Sequence, residues 1–108
     1  MEYASLKKFF CGTVSAIKNT IYTVPDDDKH GPSVVRELMV HNSDQNSDVG
    51  FILYINDVPF IDTKIAPKDS LMVGNEWYMV LEPGDSIAVA TTKADVIGVF
   101  ASGSETFK

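Results

Sequence analysis

Apolar residues along this chain come in short runs rich in β-branched and aromatic side chains, separated by clusters of Gly, Pro, Asn and Asp. That is the pattern of many short strands joined by turns, and a 3.6-residue helical period is nearly absent. The runs predict strands at Lys8–Ser15, Asn19–Val24, Val34–Asn42, Val49–Asn56, Val58–Lys64, Ser70–Val73, Trp77–Leu81, Ser86–Thr92 and Asp95–Ser102. Residues 1–6 read as an N-terminal arm and residues 7–108 as a single domain. Strands this short, with a turn signal every ~8–12 residues, imply an all-β fold of two packed antiparallel sheets, a β-sandwich or jelly roll of eight or nine strands.

Two strands carry apolar residues on both parities. In Val49–Asn56, Val49, Phe51, Leu53 and Ile55 point one way, while Ile52 and Tyr54 point the other, so both faces of this strand are expected to be covered. In Val34–Asn42 one set is Val34, Arg36, Leu38, Val40 and Asn42, and the other is Val35, Glu37, Met39 and His41. Neither set is cleanly polar. A neighbouring subunit half-covering the second face would account for this, and so would a half-wet strand in a monomer.

The turns are better specified than the strands. Ile55-Asn56-Asp57-Val58 is a two-residue link whose Asn and Asp tolerate the positive φ of a primed hairpin turn. Glu82-Pro83-Gly84-Asp85 suits a type II turn, with Pro fixing the second position and Gly accepting positive φ at the third. Ala66-Pro67-Lys68-Asp69-Ser70-Leu71 echoes Glu82-Pro83-Gly84-Asp85-Ser86-Ile87 in a Pro-x-Asp-Ser-apolar phrase, read as one corner chemistry used twice rather than as a repeat.

Composition narrows the function. The chain has 108 residues, 44% of them hydrophobic and 22% charged, which is ordinary for a domain able to bury a core. A net charge of −6 with scattered lysines argues against nucleic acid as a partner. The N-terminus does not resemble a signal peptide, and no segment approaches the ~20 apolar residues of a bilayer span, so no membrane partner is expected. The single cysteine, Cys11, excludes an internal disulfide. Its place in Phe9-Phe10-Cys11 reads as a small buried hydrophobe, not a reactive thiol.

Candidate chemistry is sparse. The two histidines, His30 and His41, have no His or Cys at ligand spacing, so a cupin-like metal enzyme, the catalytic alternative, lacks its donor set. Asp26-Asp27-Asp28 could contribute oxygens to calcium, but consecutive side chains diverge and no EF-hand spacing follows, so a solvated acidic loop is the expectation. No nucleophile elbow, phosphate loop or dinucleotide fingerprint occurs. The chain therefore reads as no enzyme, with no catalytic, cofactor or metal residues. Trp77, Tyr78, Tyr54 and Met39 are the candidate interface residues, with core packing the simpler fate for Trp77.

From Ile21 onward the sequence resembles small β-sandwich structural proteins of tailed bacteriophages. The residues that carry the resemblance are Ile21-Tyr22-Thr23-Val24-Pro25; a strand ending in Asn, Leu38-Met39-Val40-His41-Asn42-Ser43; Phe51 to Asp57 with the following Val58-Pro59; the Pro67-x-Asp69-Ser70-Leu71 corner; and Val80-Leu81-Glu82-Pro83-Gly84-Asp85-Ser86-Ile87. These cover about three-quarters of the chain and are mostly turn grammar. Asp26–Pro32 departs from the family pattern by being longer and more acidic.

The resemblance implies a non-catalytic virion component of the decoration, neck or tail type. Such a subunit assembles in several copies with itself and with capsid, neck or tail proteins in the host cytoplasm. A carbohydrate- or receptor-binding module of the virion, with a host-surface glycan as partner, is the alternative.

Overall fold

The structure, a computed structural model, describes residues 3–73 and 78–108. These form β1 (Tyr3–Thr13), β2 (Asn19–Thr23), β3 (His30–Asn42), β4 (Val49–Ile55), β5 (Val58–Ile65), β6 (Ser70–Val73), β7 (Met79–Leu81), β8 (Ser86–Thr91) and β9 (Ile97–Phe107). One sheet has the order β1-β9-β3-β6, with β7 also paired to β3, and the other has the order β2-β8-β4-β5.

The topology is that of one long hairpin rolled up. Its tip is the β4–β5 link, and pairing runs outward from there through β3 with β6 and β7, β2 with β8, and β1 with β9, all antiparallel. Two closing ladders, β9 on β3 and β8 on β4, curl the ribbon into two sheets. This is a jelly roll in which one strand position is shared by β6 and β7.

Turn chemistry sets the corners. Asn56 and Asp57 take φ of 52° and 65°, the primed hairpin geometry whose twist matches the flanking strands. Gly84 has φ 91° and the Asp85 amide donates to the Glu82 carbonyl at 2.9 Å, closing the type II turn before β8. Lys68 sits at φ 61° in the echoing corner before β6, where the Asp69 amide donates to Ala66 at 3.1 Å.

The core lies between the sheets. Phe51 and Leu53 of β4, Leu38 and Val40 of β3, Ile87 and Val89 of β8 and Ile97 of β9 are among the most buried side chains, each contributing about 1.5–3 kcal/mol by leaving water. Asn42 ends β3 inside this core. Its Nδ2 donates to the carbonyls of Ser47 (3.0 Å) and Ile65 (2.9 Å), and its Oδ1 accepts from the Asp44 amide (2.9 Å). The buried amide thereby ties β3 to the end of β5 in the other sheet.

Two irregularities set which side chains of β3 and β1 face the core. A bulge in β3 between Val35 and Glu37 places Ser33, Val35, Leu38, Val40 and Asn42 together on the buried face. Strict alternation would have set Val35 opposite Leu38, but the extra residue flips the register. A second bulge, between Lys8 and Phe10, turns Phe9 and Phe10 onto the core and Cys11 outward. Cys11 is thus exposed, not the buried hydrophobe its neighbours suggest.

Three strands run past the ends read from the sequence. β1 begins at Tyr3, because Tyr3–Leu6 pair with Ser104–Phe107 and do not hang free as an arm. β3 begins at His30, paired with Phe107, and β9 continues to Phe107. The molecule is 51 Å long but only 23 and 20 Å across.

Candidate interaction surface

The outer face of the β1-β9-β3-β6 sheet follows from register, because cross-strand partners share a face. Phe100 and Ser102 alternate with the buried Val99, Ala101 and Gly103, so they point outward. Around Phe100 lies a row of Cys11, Phe100, Met39 and Met72 across four strands. The next row on β1, β9 and β3 is Lys8, Ser102 and Glu37, and beyond it lie Leu6, Ser104, Val34 and Val80. Leu6 is 87% exposed, and Met39, Met72 and Val80 are exposed too.

Two apolar rows thus flank a polar one. Between the Phe100 row and His41, Gly98 leaves a shallow apolar groove: a side chain there would meet nothing within 4 Å. His41 closes its far side, with Nδ1 2.7 Å from Ser70 Oγ.

Of the expected interface residues, Met39 and Tyr54 lie on different sheets. Met39 is exposed in the row just described. Tyr78, 60% exposed, precedes β7 with the Arg36 guanidinium 5.8 Å from its ring centre. Tyr54 lies on the outer face of the opposite sheet, half-buried, with Lys18 Nζ 4.3 Å over its ring. Trp77 lies outside the described residues. Alternation alone missed Cys11, Phe100 and Leu6, since only the β1 bulge and the full extent of β9 put them on one surface.

The polar groups are mostly committed to structure. Asp27 accepts from the Lys29 and His30 amides at 2.9 and 2.8 Å and from the His30 ring at 2.8 Å, and the ring hydrogen bond leads in holding its carboxyl below the usual range. It caps its own loop, and no group of three His, Cys, Asp or Glu side chains able to hold a metal ion occurs among the described residues.

Asp44 is buried against Lys93. That ammonium's hydrogen bond, helped by the amides of Asn46 and Ser47, holds the carboxyl down to about 2. Tyr22 bridges the two sheets, its hydroxyl 2.8 Å from Ser33 Oγ and donating to Glu105 at 2.9 Å, while Lys7 Nζ stands 3.5 Å from the other Glu105 oxygen. Burial, with the Glu105 carboxylate adding to it, pushes the phenol up to about 12. Each of these clusters joins elements of the fold.

Among known proteins, no family model matches the chain and no curated protein matches it. Two solved structures align over 98% of it: one of infectious bursal disease virus, Gx strain, at 17% identity and TM-score 0.38, and one of the VP2 subviral particle of the same virus, at 16% and 0.37. The chain spans about a third of the length of each, 32%. A likeness this loose carries no argument here. The jelly-roll assignment rests on the strand order.

Proposed function

We propose that the chain is a non-catalytic structural protein of a tailed-bacteriophage virion, present in many copies on the capsid, neck or tail. The observation that carries this reading is the exposed apolar outer face of the β1-β9-β3-β6 sheet. Its two largely apolar rows each cross four strands, the second interrupted by Ser104, of a sandwich whose buried side-chain polar atoms, among the described residues, all have hydrogen-bond partners. Exposed apolar rows flanking a polar one are the composition of a protein contact surface.

The phage resemblance supplies the setting, and the physics suits it. A small jelly roll that buries part of its outer strands against the next copy forms closed assemblies economically, while a net charge of −6 keeps the free subunit dissolved in the host cytoplasm. Its partners are further copies and neighbouring virion proteins. A glycan-binding role finds less support, since Tyr54 lies on the β2-β8-β4-β5 sheet, Tyr78 stands beside β7 of the other sheet, and Lys18 roofs Tyr54.

Electron microscopy of purified particles tests the proposal. The expected result is a 51 Å-long jelly roll repeated under the symmetry of the capsid, neck or tail. Particles that lack the chain altogether would refute it.

A further inference from the structure

Building on the multi-copy reading above, we infer that two copies pack face to face through the outer surface of β1, β9 and β3, about a two-fold axis running along β9. The centre of this face is Ser102, flanked on β1 by Lys8 and on β3 by Glu37. Both flanking residues are exposed.

Rotation about an axis parallel to β9 lays β1 of one copy over β3 of the other. Lys8 then faces Glu37 of the second copy, and Glu37 faces its Lys8. In the flanking rows Leu6 meets Val34, Cys11 meets Met39, and Phe100 meets Phe100 on the axis. Every charge in the central row finds an opposite charge, and the apolar residues meet apolar ones, as a two-fold contact of one patch with itself requires.

The charges also reject the other in-plane axis. A two-fold perpendicular to the strands through Ser102 would set Lys8 against Lys8 and Glu37 against Glu37, a like-charge contact at the centre of the interface. Arg36, next to Glu37, lines the same depression as Lys8 and Ser102, with its guanidinium 5.8 Å from the Tyr78 ring centre.

Size permits the contact. A face bounded by dimensions of 51 and 23 Å has room for the roughly 800 Å² per partner that a stable interface takes. Packed sheets lie ~10 Å apart at about −30°, which preserves the pairing near the axis and loosens it at the ends.

The test is a charge swap, read by sedimentation of the full chain over a range of concentrations. Lys8→Glu and Glu37→Lys each weaken self-association by roughly tenfold or more, and the double variant K8E/E37K restores it. In a Cys11→Ser background, Ser102→Cys is joined to its counterpart by a bis-maleimide linker reaching about 10 Å, the spacing of packed sheets, whereas Asp62→Cys on the opposite sheet is not. An oligomer indifferent to both reversals, or a double variant as weak as the singles, overturns the inference while leaving the multi-copy reading intact. A chain that stays monomeric alone at high concentration also overturns it, and the broader reading then fails only if the chain ignores the other virion proteins as well.

Discussion

At the residue scale the fold depends on a few positions whose demands are steric or electrostatic. A Cβ on Gly103 would stand 1.8 Å from the Val34 carbonyl oxygen and 3.0 Å from Val35 Cα, where β9 crosses the β3 bulge. Gly103→Ala is therefore expected to cost about 3 kcal/mol or more in urea unfolding, whereas Gly98→Ala, whose new methyl meets nothing, should stay within ~0.5 kcal/mol. Two titrations follow from the buried polar groups. Asp44, held down to about 2, stabilises the fold above its unfolded value near 4 and loses that contribution as pH falls from about 4 towards 2. Asp44→Asn flattens this acid limb of a stability–pH curve. Tyr22 has the opposite sign: with a folded value of about 12 against an unfolded value near 10, its contribution is whole below pH ~10 and drains away as pH climbs towards 12. Tyr22→Phe removes that alkaline slope. None of these roles was legible in the sequence, because each depends on a partner far along the chain, Lys93 for Asp44 and Glu105 for Tyr22. Cys11 shows the same limit. Its neighbours Phe9 and Phe10 are apolar enough to suggest burial, and only the bulge, which local composition does not encode, turns it out.

At the element scale the turns were the most legible features. Asn-Asp and Pro-Gly state their backbone geometry locally, and the hairpin at Asn56-Asp57 and the type II turn at Pro83-Gly84 form as their residues dictate. The Pro67-Lys68 corner solves the same problem with the wrong residue, since Lys68 holds φ 61° where Gly84 holds 91°. Lys68→Gly should therefore raise stability by about 0.5–1 kcal/mol and Gly84→Lys should lower it by at least as much, both measured by thermal or urea unfolding. The middle strands were legible too, since β4, β5, β6 and β8 lie within about a residue of their apolar runs. What was not legible is one end of the molecule. Tyr3–Lys7, His30–Ser33 and Gly103–Phe107 carry little alternation and become strands chiefly by pairing with one another across 70 or more residues of sequence. Long-range pairing of this kind leaves no local signal.

At the scale of the whole molecule, the apolar excess has two sources. Part of it vanishes once the bulges reassign Val35 to the core and bring Phe9 and Phe10 onto it, so mixed parity in β3 does not by itself call for a neighbour. Among the described residues, exposed apolar side chains remain at several places, Ile17, Val58 and Phe60 among them, and the outer face of β1-β9-β3-β6 holds Leu6, Phe100, Met39 and Met72 at or near the surface. That face is what the proposed assembly would cover. The most direct test is the mass of the purified chain by light scattering, alone and after mixing with the capsid, neck and tail proteins of the proposed particle. The expected result is a mass at least twice the 11.9 kDa of one chain, or incorporation into a larger complex. A species that stays at 11.9 kDa at every concentration and binds none of those proteins would contradict it.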